Sequence, residues 1–517
     1  MKLWLAAAIL TLATAQAAWA DESLIDAARA GDTAAIQKLI AGGADVNKPD
    51  VDGTTAIIYA AHDGNAALVA ALIKAGADVR HANDYGASAM MEAATVGNGP
   101  ILEDLLKAGA DPDSANPEGQ TALMAAARSG RIEAAKVLLK HGAHVNLKES
   151  WGGQSALMWA ASQSQAEMVK LLIDHGADVN AQGKIRQWPR KVTAEHRPKD
   201  MGKGGFTPLL YAARQGCVDC AKYLIAGGAD LNATDPDRVT PLNLALINFH
   251  FDFAAYLIQA GANVDKWDLY GRTPLYNAVD MNTLPSGGRA DVPSTDKLTG
   301  LDVARLLLEA GADPNIQLKL RPPYRNVPFD RGADVILSTG ATPLLRAAKA
   351  SDNEAIKLLI AHHALVDLPN AMGVTPLMAA AGLGQESRAT RGRYKTEEEG
   401  IESARLLLAA GANIDARAGN PLTARANVFD PQNPGNRGSY AGQTALHGAA
   451  KKGWTKMVAF LAKNGAELEL ADGAGNTPLD MAAGNYKAGF LDAPPEPFPD
   501  TVALLKKLIS EKKAAKL

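Results

Sequence analysis

One short pattern recurs along the chain: a Thr or Ser, then Pro or Ala, an apolar residue and a pair of small ones. It begins at Thr55, Ser88, Thr121, Ser155, Thr207, Thr240, Thr273, Thr342, Thr375, Thr444 and Thr477. Six of the ten spacings are 33 residues and one is 34. A fixed period of this size marks one supersecondary unit used many times. Such a unit cannot bury its apolar face alone and must stack on its neighbours. The period overrides the expectation from length, by which 517 residues would divide into domains of about 100–200 residues each. Aromatic residues are only 5% of the chain, so alanine and leucine fill the core.

Each unit reads as two helices. In Thr207-Pro208-Leu209-Leu210-Tyr211-Ala212-Ala213 the threonine can accept from the first unpaired amides, and proline suits the first helical position. The alanine pair admits a close neighbour. A second helix over 220–225 ends at Gly227-Gly228, where a left-handed cap costs little, and Ala229-Asp230-Leu231-Asn232 turns the chain toward the next unit. Asp52-Gly53-Thr54-Thr55 suits a tight hairpin tip.

These signatures, T-P-L-x-x-A-A, G-A-D-x-N and D-x-x-G-x-T, closely resemble the ankyrin repeat. The resemblance covers nearly all of 21–509. About twelve units begin near 22, 55, 88, 121, 155, 207, 240, 273, 342, 375, 444 and 477, the first being a cap that carries Gly43-Ala44-Asp45-Val46-Asn47. It implies an all-α solenoid of helix-turn-helix units, with paired antiparallel helices, hairpin fingers along one edge and a concave groove lined by fingers and first helices. Two departures bear on local stability. Only His447 supplies the family's histidine after T-P-L or T-A-L, and Phe249 stands where a loop glycine usually sits. The last stretch, 501–517, reads as an amphipathic end helix with Val502, Leu504, Leu505, Leu508 and Ile509 inward.

The remaining spacings are 52, 69 and 69 residues. Three insertions follow the G-A-D or G-A-N motif and extend fingers: 181–205, 316–340 and 416–442. Two more fall between paired helices, near 282–299 and 383–400, and another, 485–500, precedes the last helix. In the second of these, Glu397-Glu398-Glu399 reads as a loop segment neutralised by Arg388, Arg391, Arg393 and Lys395. The fingers are basic: from 182 the first carries seven basic against two acidic residues, and the other two carry +2 each. Together they hold +9 on a chain whose mature net charge is −4, so the rest carries −13. A basic edge on an acidic body points to a partner with an acidic surface, whereas the near-neutral total brings no bulk attraction to nucleic acid.

Aromatic and arginine residues concentrate at positions open to a partner. Tyr59, Trp159, Tyr211, Asn277 and Arg346 share the groove position of the first helix, two residues after the T-P-L-type apolar residue. Tyr85, Trp151, Arg186, Trp188, Arg190, Arg238, Trp267, Tyr270, Arg321, Tyr324, Arg325 and Tyr440 fall on fingers or finger-side connections. Tyr, Trp and Arg dominate binding hot spots. The alternative for any one of them is shielding of an apolar joint between units.

The first twenty residues run from Lys2 through an apolar stretch to Ala18-Trp19-Ala20, followed by Asp21 and Glu22, which is the pattern of a secretory signal peptide over 1–20. The expected location is therefore the periplasm or beyond, with 21–517 as one exported array and no membrane insertion. Cys217 and Cys220 can pair in such a compartment or remain two inert thiols. No spaced metal-ligand set, cofactor motif or catalytic motif is present, and the turn Asp230, Asn232, Asp235, Asp237 lacks the final glutamate of a calcium loop. The expected function is a non-catalytic protein-binding scaffold. The alternatives are a binder of an anionic envelope polysaccharide or other polyanion, and an enzyme whose site is built in the inserted loops.

Overall fold

A computed structural model describes residues 23–187, 203–283, 295–320, 336–384, 395–419, 440–486 and 495–515. The described residues form two compact units: 23–187 with 203–230, and those from 231 to 515. In the first unit the helices follow one another in pairs: α1 (Leu24–Arg29) with α2 (Thr33–Ala41), α3 (Ala56–His62) with α4 (Ala66–Lys74), and α5 (Ala89–Val96) with α6 (Gly99–Lys107). They continue with α7 (Ala122–Ser129) and α8 (Ile132–Lys140), α9 (Ala156–Ser162) and α10 (Ala166–Asp174), and α11 (Pro208–Gln215) and α12 (Val218–Ala226). Helices α1, α3, α5, α7, α9 and α11 pack in one layer, and α4, α6, α8, α10 and α12 in a second.

The second unit repeats this plan. Its pairs are α13 (Pro241–Ile247) and α14 (Phe251–Gln259), α15 (Pro274–Asn282) and α16 (Gly300–Glu309), and α17 (Pro343–Ala350) and α18 (Asn353–Ala361). Then come α19 (Pro376–Ala380) and α20 (Glu397–Ala409), α21 (Ala445–Lys451) and α22 (Thr455–Lys463), and α23 (Pro478–Ala482) and α24 (Pro499–Ala514). Odd-numbered helices form one layer and even-numbered helices the other. Among the described residues β pairing is limited to isolated bridges such as Ala82 with Ser88. The architecture is the all-α repeat solenoid.

Three devices make the repeat. The hydroxyl at the head of each first helix caps it: Ser88 accepts from Met91 N–H at 3.2 Å, and Thr273 accepts from Tyr276 N–H at 3.1 Å. Thr55 is an exception, because its Oγ1 is buried without a partner. The cap before α21 is also different: Thr444 N–H donates to Nδ1 of buried His447 at 3.1 Å, while His447 Nε2 meets the Asn476 carbonyl at 3.2 Å. Burial pushes the His447 pKa down, which keeps Nδ1 free to accept.

The second device is the asparagine of G-A-D-x-N. Asn47 Nδ2 donates to the Gly76 carbonyl at 3.1 Å and its Oδ1 accepts from Asp78 N–H at 2.7 Å, stapling one turn to the next. The same staple survives the first and second finger insertions, where Asn180 reaches Gly228 and Asp230, and Asn315 reaches His363 and Leu365. Register is therefore carried past the extra residues. In the third device an acidic or amide side chain, usually Asp or Asn, ties off a finger tip: Asn83 Oδ1 accepts from Tyr85 and Ala87 N–H at 3.1 and 2.8 Å, and Asp268 Oδ1 from Tyr270 and Arg272 N–H at 2.9 Å each. Between the layers Leu105, Leu138 and Leu172 are fully buried, each contributing about 1.5–3 kcal/mol relative to exposure.

Three local expectations are corrected or refined. Glu397, Glu398 and Glu399 do not lie in a loop; they form the first turn of α20, where negative charge complements the unpaired amides, and Glu398 pairs with Lys456 at 2.6 Å. Lys395 is buried and donates to the Ala379 and Ala380 carbonyls at 2.7 and 3.0 Å, capping the five-residue α19. Phe249 adopts a left-handed φ of 65°, held there by burial and an edge-on contact with Phe251 at 6.1 Å. In α24 Leu505 and Thr501 are buried, and Lys512 and Lys513 pair with Glu467 and Glu469.

Candidate partner-binding surface

In the first unit, the layer of first helices presents rings covered by arginines. Tyr59 on α3 is half-buried beneath Arg29, whose guanidinium lies 5.4 Å from the ring centre; Arg29 and the Tyr59 hydroxyl both bond Asp50. Trp159 on α9 lies under Arg128 of α7 at 5.1 Å. Tyr211 on α11 contacts Phe206 edge-on at 5.4 Å, accepts from Gln154 Nε2 at 2.9 Å and carries Arg214 at 5.1 Å. Burial raises the Tyr211 pKa, so its phenol stays protonated at neutral pH. A guanidinium stacked on a ring still presents its N–H edge to solvent.

The fingers of this unit add exposed rings. Tyr85 is 76% exposed and Trp151 69% exposed. Arg186 stacks on the Trp151 indole at 4.0 Å and its Nη2 donates to the Trp151 carbonyl at 2.7 Å. Glu149 shapes that tip by accepting from the N–H groups of Trp151, Gly152 and Gln154. A cleft of about 280 Å³ lies between the Tyr85 finger and α5, α7 and α9, lined by Trp159, Arg128, Met91 and Met124 among others.

The second unit keeps only part of the predicted set at the surface. Trp267 is exposed, with Arg238 at 6.0 Å and Lys319 at 5.7 Å from its ring. Tyr270 is half-buried beside Arg272, and its carbonyl accepts from Lys319 N–H at 2.8 Å. Arg238 occupies a tip position that glycine holds in most other fingers and has a φ of 61°.

Three predicted contact residues are corrected, because they are buried. Asn277 is 0% exposed and donates to Asn243 Oδ1 at 2.8 Å; Asn243 in turn donates to the Lys266 carbonyl at 2.8 Å. Arg346 is 1% exposed: its Nε pairs with Asp280 Oδ1, and its Nη2 donates to Thr283 Oγ1 at 2.9 Å. Tyr440 is buried at the end of the third finger. Asn277 and Arg346 can lie inside because the fold supplies partners for most of their polar atoms, Asn277 Oδ1 and Arg346 Nη1 excepted. Trp188, Arg190, Arg321, Tyr324 and Arg325, with most of the three basic fingers, lie outside the described residues.

Sequence reasoning missed Arg29, Arg128, Arg214 and Phe206. A signal was present: Arg128 and Arg214 both stand seven residues after the capping threonine, on the helix face of the groove position. Cys217 and Cys220 are bonded, with Cys217 Sγ accepting from Cys220 N–H at 3.2 Å. Among the described residues no group of three His, Cys, Asp or Glu side chains could hold a metal ion, and no helix is long and apolar enough to cross a membrane.

A family model described as ankyrin repeats (3 copies) matches residues 24–116, 90–183, 209–318 and 397–491. The chain is 30% identical over 275 residues to ankyrin repeat and SOCS box protein 16 of Homo sapiens, which covers 53% of this chain and 47% of that one. It is 26% identical over 313 residues to the B-cell lymphoma 3 protein homolog of Mus musculus, covering 58% and 55%. Inversin of Gallus gallus is 38% identical over 72 residues, 14% of this chain and 6% of that protein. The chain spans about half the length of the first two relatives and a small part of the third. It belongs to the ankyrin-repeat family, and the arginine-covered rings lie on repeats that the family model matches.

Proposed function

We propose that this chain is a non-catalytic scaffold, acting in the periplasm or secreted, that binds a protein partner with an acidic surface through the first helices and fingers of its first unit. Ankyrin repeats generally mediate protein–protein interaction. The observation that carries the reading is the recurrence of arginine over aromatic ring at Tyr59, Trp159, Tyr211 and Trp151. Rings and guanidinium groups are the side chains on which binding energy concentrates, and the stacked arginine adds donors suited to carboxylates. Export is proposed from the 1–20 pattern, and a Cys217–Cys220 bond is compatible with an oxidising compartment.

The test is affinity capture from the native envelope fraction with the wild-type chain and with Trp151→Ala combined with Arg186→Ala. Both residues sit on an exposed finger, so unfolding should shift by less than about 0.5 kcal/mol while partner recovery falls. Equal recovery by the two proteins would sink the reading. A steep fall in binding between 50 and 200 mM salt, of the order of a thousandfold, would instead favour an anionic polysaccharide or other polyanion.

A further inference from the structure

We infer that the cleft beside Trp159 is a socket for one apolar side chain of an extended, acidic segment of a partner protein, with Arg128 receiving the carboxylate next to that side chain. This rests on the protein-binding reading and specifies its site and ligand chemistry.

The cleft has a structural cause. The fourth residue after the helix cap is Tyr59 on α3, Trp159 on α9 and Tyr211 on α11, but Glu92 on α5 and the small Ala125 on α7. The missing ring leaves the space that Tyr85, Met91, Met124 and Trp159 enclose. Its volume, about 280 Å³, is just under the lower end of the roughly 300–1,000 Å³ of small-molecule sites, so it suits one side chain better than a whole cofactor. The lining methionines, Met91 and Met124, adapt to branched or aromatic shapes.

Two groups in the wall lack partners. Arg128 is exposed, lies over the indole and forms no ion pair with a described residue. The indole Nε1–H of Trp159 is buried with no acceptor among the described residues. Among the described residues that line it there is no Asp or Glu, so Arg128 sets its charge. An Arg fork prefers a carboxylate, held bidentately. When Arg128 turns toward such a carboxylate it uncovers the indole edge, whose N–H can then donate to a backbone carbonyl of the segment. In an extended segment successive side chains point to opposite sides. One can therefore enter the socket while an acidic neighbour faces the guanidinium, with exposed Tyr85 lining the cleft beside it.

The experiment uses the full chain and fluorescein-labelled, end-blocked peptides of about twelve residues, roughly 40 Å when extended, read by fluorescence anisotropy. The first peptide carries one central Leu flanked by Glu; its controls replace Leu with Ala or the Glu residues with Gln. Saturable binding of the Leu–Glu peptide is expected, weakened about tenfold or more by either replacement. Arg128→Ala should weaken the Glu peptide by about the same factor and leave the Gln peptide unchanged, so the two changes are non-additive. Ala125→Phe, which fills the space with a ring like the one that the next repeat carries at Trp159, should abolish the preference for Leu over Ala without lowering Tm. Trp159→Phe keeps the wall, removes the unpaired donor, and should weaken binding with Tm unchanged or raised.

Saturable binding that is insensitive to Arg128→Ala, Ala125→Phe and Trp159→Phe would overturn the socket. So would failure of every peptide to bind. Neither result touches the capture test with Trp151 and Arg186, which decides the broader reading separately.

Discussion

At the fourth residue after the capping hydroxyl, the first unit holds Tyr59, Trp159 and Tyr211 half in solvent, whereas the second holds Asn277 and Arg346 wholly inside. One register position thus serves a surface in one unit and a core in the other. In the first unit the ring needs no partner beneath it and gathers an arginine on its outer face. In the second unit both side chains are met from within the unit, Asn277 Nδ2 by Asn243 and Arg346 Nε and Nη2 by Asp280 and Thr283, while Asn277 Oδ1 and Arg346 Nη1 are buried without a partner among the described residues. Lys349 continues the pattern, buried and donating to the Gly384 carbonyl at 2.7 Å. The difference shows that a residue type suited to binding marks a surface only where the fold has not already answered its polar groups.

The largest expected effect tests the buried half of this contrast. Asp280→Ala leaves the Arg346 guanidinium buried without its carboxylate and should cost about 3–5 kcal/mol, read as a lowered denaturation midpoint and faster hydrogen exchange in α15 and α17. A loss under 1 kcal/mol would mean that Arg346 reaches solvent in solution, and the contrast between units would fail.

A smaller effect separates finger tips. Asn83 and Asn116 tie off tips in the first unit, whereas Asp235 does so in the second, accepting from Asp237 and Val239 N–H at 2.9 Å each. Burial, with Asp237 and Asp268 nearby, raises the Asp235 pKa from 3.8 to about 6. The folded state therefore binds this proton more tightly than the unfolded state does. Its contribution to stability is fully present below pH 3.8 and lost as pH rises through about 6. Asp235→Asn retains both acceptances and does not titrate. It should raise stability at pH 7.5 by about 1–2 kcal/mol after allowance for solvent screening, and the gain should vanish near pH 4. Denaturation curves at the two pH values decide this, and a gain independent of pH would refute the assignment.

The smallest effect lies within the first unit. Thr121→Val removes a cap that Met124 N–H uses and should cost about 1 kcal/mol, whereas Thr55→Val removes a hydroxyl with no partner and should cost nothing. Matched thermal melts of the two variants suffice, and equal losses would show that Thr55 caps α3 in solution.

Much of the fold was legible before any coordinate. Thr-Pro marked first-helix starts, as at Pro208, Pro241 and Pro274, because capping and a fixed proline φ are local effects. The glycine of the finger tip was also legible, since a left-handed turn is a property of a few consecutive residues. Of the candidate site, Tyr59, Tyr85, Trp151, Trp159, Arg186, Tyr211, Trp267 and Tyr270 stand at least partly open to solvent, along with exposed Arg238. Asn277, Arg346 and Tyr440 were misplaced, and Arg128 was missed, because its significance comes from a tryptophan one repeat away. The three glutamates at 397–399 read as a loop until Thr396 was seen to cap them through a reciprocal bond with Glu399.

By itself, then, the sequence determined the repeat, its helix starts, its finger turns and its family, all of which follow from interactions within a few residues and from a period that forces stacking. Only the tertiary structure decided which side chains at one register position face outward and which are buried, and where a missing ring leaves a socket. Periodicity gives the direction of a side chain around its own helix; its exposure depends on what the adjacent repeat and the inserted segments place over it.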